Sequence, residues 1–388
     1  MDYCIYNIHF AAKENNSHLT GTGKPDGWGL QSRFYNGIML IEGIFAAVPT
    51  PFYPDERIYF RKIEANMARY SRSLLAGMLV LGSTGEASML DDSETREVLR
   101  VAAEAAAAEK VLIAGVGRES VKATVELTEA AARYQYDAVL VRTPTYYAGQ
   151  MTPAAVSHYF RSVADRSPLP VLLYNIPRCV PYNIPIEIVT ELAQHPNIIG
   201  IKDSTGNIDR IRALVEATQT APRRTLSVTQ VFEAVTARML EHKAVASAFV
   251  SIGDLAGGAK PVKGSPPTPV KIREKEVGFQ VINGSAAILL ESLQAGAAGA
   301  TLGFAACAPQ ACQEVYLAWK DHDLKLAEEK QQRIDAPSRR IAGQLGVSGV
   351  KYACDFNGYY GGRTRAPLLA LTAEERAEVE GLLAGIRN

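Results

Sequence analysis

Apolar and polar positions along this chain follow one repeating pattern. A run of four or five apolar residues is closed by turn formers, and a longer stretch with apolar residues at helical spacing follows. The first run is Ile44-Phe45-Ala46-Ala47-Val48, with a helix expected from about Glu56 to Leu75. Met78-Leu79-Val80-Leu81 precedes a helix opened by Asp91-Asp92-Ser93-Glu94, and Val111-Leu112-Ile113-Ala114 precedes one from Ser120 to Tyr134. Ala138-Val139-Leu140-Val141 leads to Pro153–Asp165, Val171–Tyr174 to Pro185–Gln194, and Ile198–Lys202 to Ile208–Thr218. Phe279-Gln280-Val281-Ile282 and Gly299-Ala300-Thr301-Leu302 complete the set, with a helix over Ala286–Ala295 between them. Short apolar runs without alternation read as strands buried on both faces, which suits a parallel sheet. Eight such βα units predict an α/β fold, the closed (β/α)8 TIM barrel.

The barrel is expected over residues 41–308, and the Ala-, Leu-, Glu- and Lys-rich remainder, 309–388, reads as packing helices. Between the sixth helix and the seventh strand an insertion, 219–277, carries nine Lys and Arg against five Asp and Glu and ends in Gly264-Ser265-Pro266-Pro267-Thr268-Pro269. Val231, Phe232, Val235, Met239 and Leu240 recur within it at helical spacing. As an αβ connection it belongs on the barrel face away from the chemistry, as a surface appendage or oligomer contact. Residues 1–40 are turn-rich, without an apolar or Arg-rich targeting stretch, and read as a poorly ordered extension, with Met39 an alternative start.

Composition narrows the class. With 41 Lys and Arg against 41 Asp and Glu, nothing asks for nucleic acid or an anionic membrane. No apolar stretch approaches the ~20 residues of a membrane span. Five scattered cysteines without metal spacing fit a reduced cytoplasm, and the six histidines form no ligand pair.

Lys202 ends the apolar run Ile198-Ile199-Gly200-Ile201 and precedes Asp203-Ser204-Thr205-Gly206-Asn207. A strand-end lysine puts its stem in the core and its amine at the rim, where it either meets a carboxylate or gives up its proton. A neutral amine there condenses with ketones as a Schiff base. The plainer alternative is a lysine that reaches solvent or pairs with Asp203. Tyr174-Asn175-Ile176-Pro177 and Gly82-Ser83-Thr84-Gly85-Glu86 stand at the ends of two other strands, so all three polar groups emerge at one end of the sheet. Tyr174 suits proton transfer, Ser83 a link to solvent, and Thr84 with its turn amides a keto-acid carboxylate. A rim tyrosine and a helix cap are the structural alternatives.

These three motifs, in this order and spacing, resemble the signatures of the dihydrodipicolinate synthase/N-acetylneuraminate lyase superfamily over about Ile41–Thr372, the insertion excepted. The resemblance implies a Schiff base between Lys202 and pyruvate, with Tyr174 and Ser83 in a proton relay and Thr84 on the carboxylate. It also implies a second relay tyrosine reaching a neighbouring subunit from Thr143-Pro144-Thr145-Tyr146-Tyr147, hence a homodimer or homotetramer; Tyr146 is preferred and Tyr147 remains open. Thr143-Pro144-x-Tyr146-Tyr147-x-Gly149-x-Met151, Ser204, Gly284-Ser285-Ala286 and Gly358–Leu368 are similar to 4-hydroxy-2-oxoglutarate aldolases, which adds Ser204, Gly284 and Ser285 as substrate-binding residues.

Cleavage of 4-hydroxy-2-oxoglutarate to pyruvate and glyoxylate is the implied reaction, with no metal or other cofactor required. The enzymatic rival condenses pyruvate with aspartate semialdehyde. Synthases of that type carry an arginine five residues after the tyrosine, where this chain has Cys179, with Arg178 one position early. Asn175, by contrast, resembles the synthase motif. A barrel serving only as a binding platform is the non-enzymatic alternative. Gly115-Val116-Gly117 lacks the third glycine of a nucleotide fingerprint and reads as a turn.

Overall fold

The computed structural model describes residues 39–229, 234–239 and 272–386. Its strands are β1 (Gly43–Ala47), β2 (Gly77–Val80), β3 (Val111–Gly115), β4 (Ala138–Arg142), β5 (Val171–Asn175), β6 (Ile198–Asp203), β7 (Arg224–Thr229), β8 (Ile272–Val277), β9 (Gln280–Asn283) and β10 (Gly299–Leu302). Eight of them close a barrel in the order β1-β10-β9-β6-β5-β4-β3-β2, and among the described strands β7 pairs only with β8. Every barrel contact is parallel, from Phe45↔Gly77 between β1 and β2 round to Gly43↔Gly299 between β1 and β10. Residues two apart share a face. Phe45, Leu79, Ile113, Leu140, Leu172 and Ile282 therefore fill the barrel interior, and Tyr174 belongs to the same cluster. Their neighbours Ile44, Val80, Val139, Leu173 and Ile201 pack outward under the helices.

The helix starts follow from capping chemistry. Asp91 forms a reciprocal capping box with Glu94, and Ser120, Thr152 and Asn207 each accept a first-turn amide. The first helix is shorter than its periodicity predicts, Phe60–Ser71 rather than Glu56–Leu75, because Glu56 adopts a left-handed turn with φ 67°. After β10 come helices Phe304–Cys307, Pro309–Lys320, Leu324–Ser338, Gly346–Phe356 and Ala373–Leu383. Pro337 cannot donate the helical bond at its position, and the backbone continues as a π-helical stretch, Arg339–Gln344.

The described part of the insertion is packed in, more than an appendage would be. Leu226 and Val228 are buried with Leu40, and Arg224 donates to the carbonyl of His195 at 2.9 Å. Lys275 pairs with Glu42, and Arg238 lies 3.6 Å from Asp137 in a site from which both side chains are almost excluded from solvent. Glu42, Asp137 and His195 all precede barrel strands, so these contacts lie at the end of the barrel opposite Lys202. Ala237–Met239 make a helical turn, while Val231, Phe232, Leu240 and the expected extension over 1–38 fall outside the described residues.

Candidate active site

Tyr174 and Lys202 are direct register partners on β5 and β6, and both side chains enter the barrel interior at its C-terminal end. The Lys202 Nζ stands 3.4 Å from the Tyr174 hydroxyl and 4.5 Å from the ring centroid. On the other side of that hydroxyl lies the Ser83 Oγ, also at 3.4 Å. Both distances exceed the ~2.9 Å of a formed N–H···O bond and the ~2.8 Å of an O–H···O bond, a spacing common where catalytic hydrogen bonds tighten only around substrate. Ser83, Thr84, Tyr174, Lys202, Ser204, Gly284 and Ser285 all line one cavity of ≈ 440 Å³.

Asp203 is not the partner of the lysine. Its side chain leaves the opposite face of β6, where Oδ2 accepts from Arg210 Nε and Asn175 Nδ2, each at 2.7 Å. Thr205 occupies Oδ1 through its amide and hydroxyl. Among the described residues no carboxylate lies within ion-pair distance of Lys202, although the residue is only 5% exposed. An amine buried beside a phenol, with its adjacent carboxylate engaged elsewhere, can condense with a carbonyl when it is neutral.

Two glycines shape the wall. A Cβ on Gly284 would lie 2.0 Å from Ser204 Oγ, so β9 can end against Ser204 only without a side chain. On Gly303 a Cβ would crowd the Thr84 hydroxyl at 3.2 Å. The outer wall was not foreseen from the pattern of strands. It comes from the C-terminal region, where Ser338 at the end of its helix, Arg339, Ala342, Gly343 and Gln344 of the π-helical stretch and Val347 and Val350 of the next helix close the cavity. π turns concentrate at functional sites, and Pro337 inside a helical pattern was the available signal. Arg178 and Cys179 both reach the mouth. A second compartment of ≈ 450 Å³ shares Ser83, Tyr174 and Cys179 with the first and presents Arg118 and Arg142.

Tyr146 is the predicted residue that the fold does not bring to this cavity. Its side chain is 81% exposed and packs edge-on against Tyr147. Glu119 fixes the loop by accepting the amides of Thr145 and Tyr146 and pairing with Arg142 at 2.9 Å. Burial alone would raise the Glu119 carboxyl, but those amides and the guanidinium hold it down to about 2.

The model of the dihydrodipicolinate synthetase family matches residues 40–241 and 250–385. The chain belongs to that family. An L-threo-3-deoxy-hexylosonate aldolase of Hypocrea jecorina is 30% identical over 355 residues, covering 89% of this chain and 95% of that one. A 4-hydroxy-tetrahydrodipicolinate synthase of Hyphomonas neptunium is 28% identical across 89% of this chain and 98% of its own. The corresponding synthase of Methanococcoides burtonii is 34% identical but covers 46% of this chain and 60% of its own length. Among solved structures, a dihydrodipicolinate synthase of Bacillus anthracis superposes with TM-score 0.71 at 22% identity, over 89% of this chain and 99% of that one. A prophage protein of the same family from E. coli K12, in complex with pyruvate, gives 0.70 at 23%, with the same coverage of each chain. Family membership makes the chain an enzyme, a carbon–carbon lyase of the Schiff-base aldolase type.

Proposed function

We propose that the protein cleaves 4-hydroxy-2-keto acids to pyruvate and an aldehyde, with 4-hydroxy-2-oxoglutarate as the leading substrate. The observation that carries this reading is the Lys202 amine, buried, free of any described carboxylate and 3.4 Å from the Tyr174 phenol. In its neutral form the amine adds to the C2 ketone, and Tyr174 gives its proton to the carbinolamine hydroxyl, which departs as water and leaves an iminium beside a phenolate. Tyr174 then takes the C4 hydroxyl proton while the C3–C4 bonding pair flows into the iminium, giving an enamine and the aldehyde. Protonation at C3 and addition of water release pyruvate and restore the amine. Thr84 and its turn hold the keto-acid carboxylate, Ser83 links the phenol to solvent, and Ser204, Gly284 and Ser285 face the departing aldehyde. Tyr146, exposed and outside its own cavity, is assigned to the relay of a neighbouring subunit in a homodimer or homotetramer.

A second carboxylate on the substrate is supported by Arg178, which lines the mouth of a cavity without a lining Asp or Glu, while the other lining guanidinium, Arg339, is paired with Asp335 at 2.8 Å. One observation favours a longer sugar acid instead. The Hypocrea relative is named for such a substrate, and Ser204, Thr205 and Ser285 offer hydroxyls along the same wall. The test is pyruvate release from 4-hydroxy-2-oxoglutarate and from a 3-deoxy-hexulosonate, beside condensation of pyruvate with aspartate semialdehyde. Highest kcat/KM on the first supports the proposal. Turnover confined to the semialdehyde would replace it with the synthase reading.

A further inference from the structure

The Gly358–Leu368 motif and a buried ion pair remain outside the chemistry above, and they meet each other. Lys351 is completely buried on helix Gly346–Phe356, and its Nζ donates to Glu86 Oε1 and to the Arg363 carbonyl, each at 2.5 Å. The other oxygen, Glu86 Oε2, accepts the Arg365 amide at 2.9 Å. Phe52 roofs the pair, its ring centroid 4.5 Å from the ammonium. Gly361 belongs to the same contact, since a Cβ there would strike the Lys351 carbonyl at 1.9 Å.

Glu86 closes the turn that bears the catalytic hydroxyls. It follows the 3-10 turn Ser83–Gly85, adopts a left-handed φ of 54°, and donates its amide to the Ser83 carbonyl at 3.1 Å. A non-glycine residue reaches that conformation at a cost, so surrounding contacts must hold it there. Thr50 Oγ1 donates to the Gly85 carbonyl and is the only other described side chain bonded to the turn from below. From the cavity side, Thr84 Oγ1, Val350 Cγ2 and Ala342 Cβ all converge on the Gly303 Cβ position, within 4.0 Å of it. The helix that carries Lys351 also packs against the Ser83–Gly85 turn itself.

We propose that Glu86 and Lys351 are positioning residues: their buried pair sets the Ser83–Thr84 turn against the C-terminal helix and so determines how the substrate carboxylate is held. The inference rests on the Schiff-base reading above. A buried pair adds little net stability compared with apolar residues of similar volume, whereas removing one member strands a charge. The double variant Glu86→Gln/Lys351→Met removes both charges at nearly constant volume and is the informative protein.

The experiment is borohydride trapping as a function of ketone concentration, with pyruvate in one arm and acetone, which has no carboxylate, in the other. In the double variant the pyruvate concentration for half-maximal trapping should rise on the order of tenfold to a hundredfold, as for a catalytic group misplaced by about 1 Å. Acetone trapping should stay at the wild-type rate. Glu86→Asp keeps both charges but shortens the tether, and it should shift the pyruvate dependence in the same direction even if the double variant does not fold. An unchanged pyruvate dependence in a folded variant, or equal losses with both ketones, would overturn the proposal. Failure of wild-type protein to trap pyruvate at all would instead remove the Schiff-base reading.

Discussion

Gly284→Ala perturbs the site without touching a reacting group. The added methyl would meet Ser204 Oγ at 2.0 Å, Cβ at 2.8 Å and Cα at 2.9 Å. A serine hydroxyl can rotate away, but Cβ and Cα cannot, and carbon–carbon contacts settle near ~3.5 Å. The ends of β6 and β9 must therefore part by about 0.7 Å, or Ser204 must leave its place two residues beyond Lys202. Overpacking of this kind costs about 1–3 kcal/mol. Misplacement of a substrate-holding group by about 1 Å costs up to roughly 10²-fold in rate. A lactate dehydrogenase-coupled assay of pyruvate release, run beside thermal melting, separates the two effects. The expected variant is folded, melts several degrees lower, still traps pyruvate on Lys202, and loses at least tenfold in kcat/KM for the full-length keto acid. Wild-type kcat/KM together with a wild-type melting temperature would refute the reasoning, because the contact would then carry no consequence.

Tyr174→Phe removes the hydroxyl that stands 3.4 Å from both Lys202 Nζ and Ser83 Oγ, and kcat should fall by roughly 10²–10⁴ while melting is little changed. Mixing inactive Lys202→Ala with inactive Tyr146→Ala should restore activity if Tyr146 serves a neighbour's site; mixtures that stay inactive after subunit exchange would confine each site to one chain. Burial pushes the Asp137 carboxyl from an ordinary 3.8 up to about 6, against the opposing Arg238 and the amides of Leu112 and Ala237. The folded state thus holds this proton more tightly than the unfolded chain, so that stability is present at low pH and is lost as pH rises through about 6. Melting temperatures of wild type relative to Asp137→Asn should accordingly decline between about pH 4 and pH 7, and a constant difference would count against the assignment.

The barrel was legible because its strands are buried on both faces and its helices carry their own caps. Val171–Asn175 and Ile198–Asp203 needed only their apolar runs, and Asp91 with Glu94 announces a helix start by local chemistry alone. The meeting of Tyr174 and Lys202 followed from strand ends in adjacent units, a short-range inference once the sheet is parallel. What stayed hidden depends on long-range packing. The reach of Arg339–Gln344 over the barrel mouth spans the whole domain in sequence, and no periodicity encodes it. The pairing of Glu86 with Lys351 joins residues 265 positions apart. Burial of Arg238 beside Asp137 ran against the expectation for a basic surface segment, because a guanidinium enters the interior wherever a carboxylate meets it.

The central claim is that Lys202 is the covalent amine, and peptide mapping after incubation with pyruvate and sodium borohydride tests it most directly. The account predicts a reduced pyruvyl adduct on Lys202, loss of activity in step with labelling, and no adduct in Lys202→Ala. Labelling spread over surface lysines, or an unlabelled enzyme that remains fully active, would contradict it.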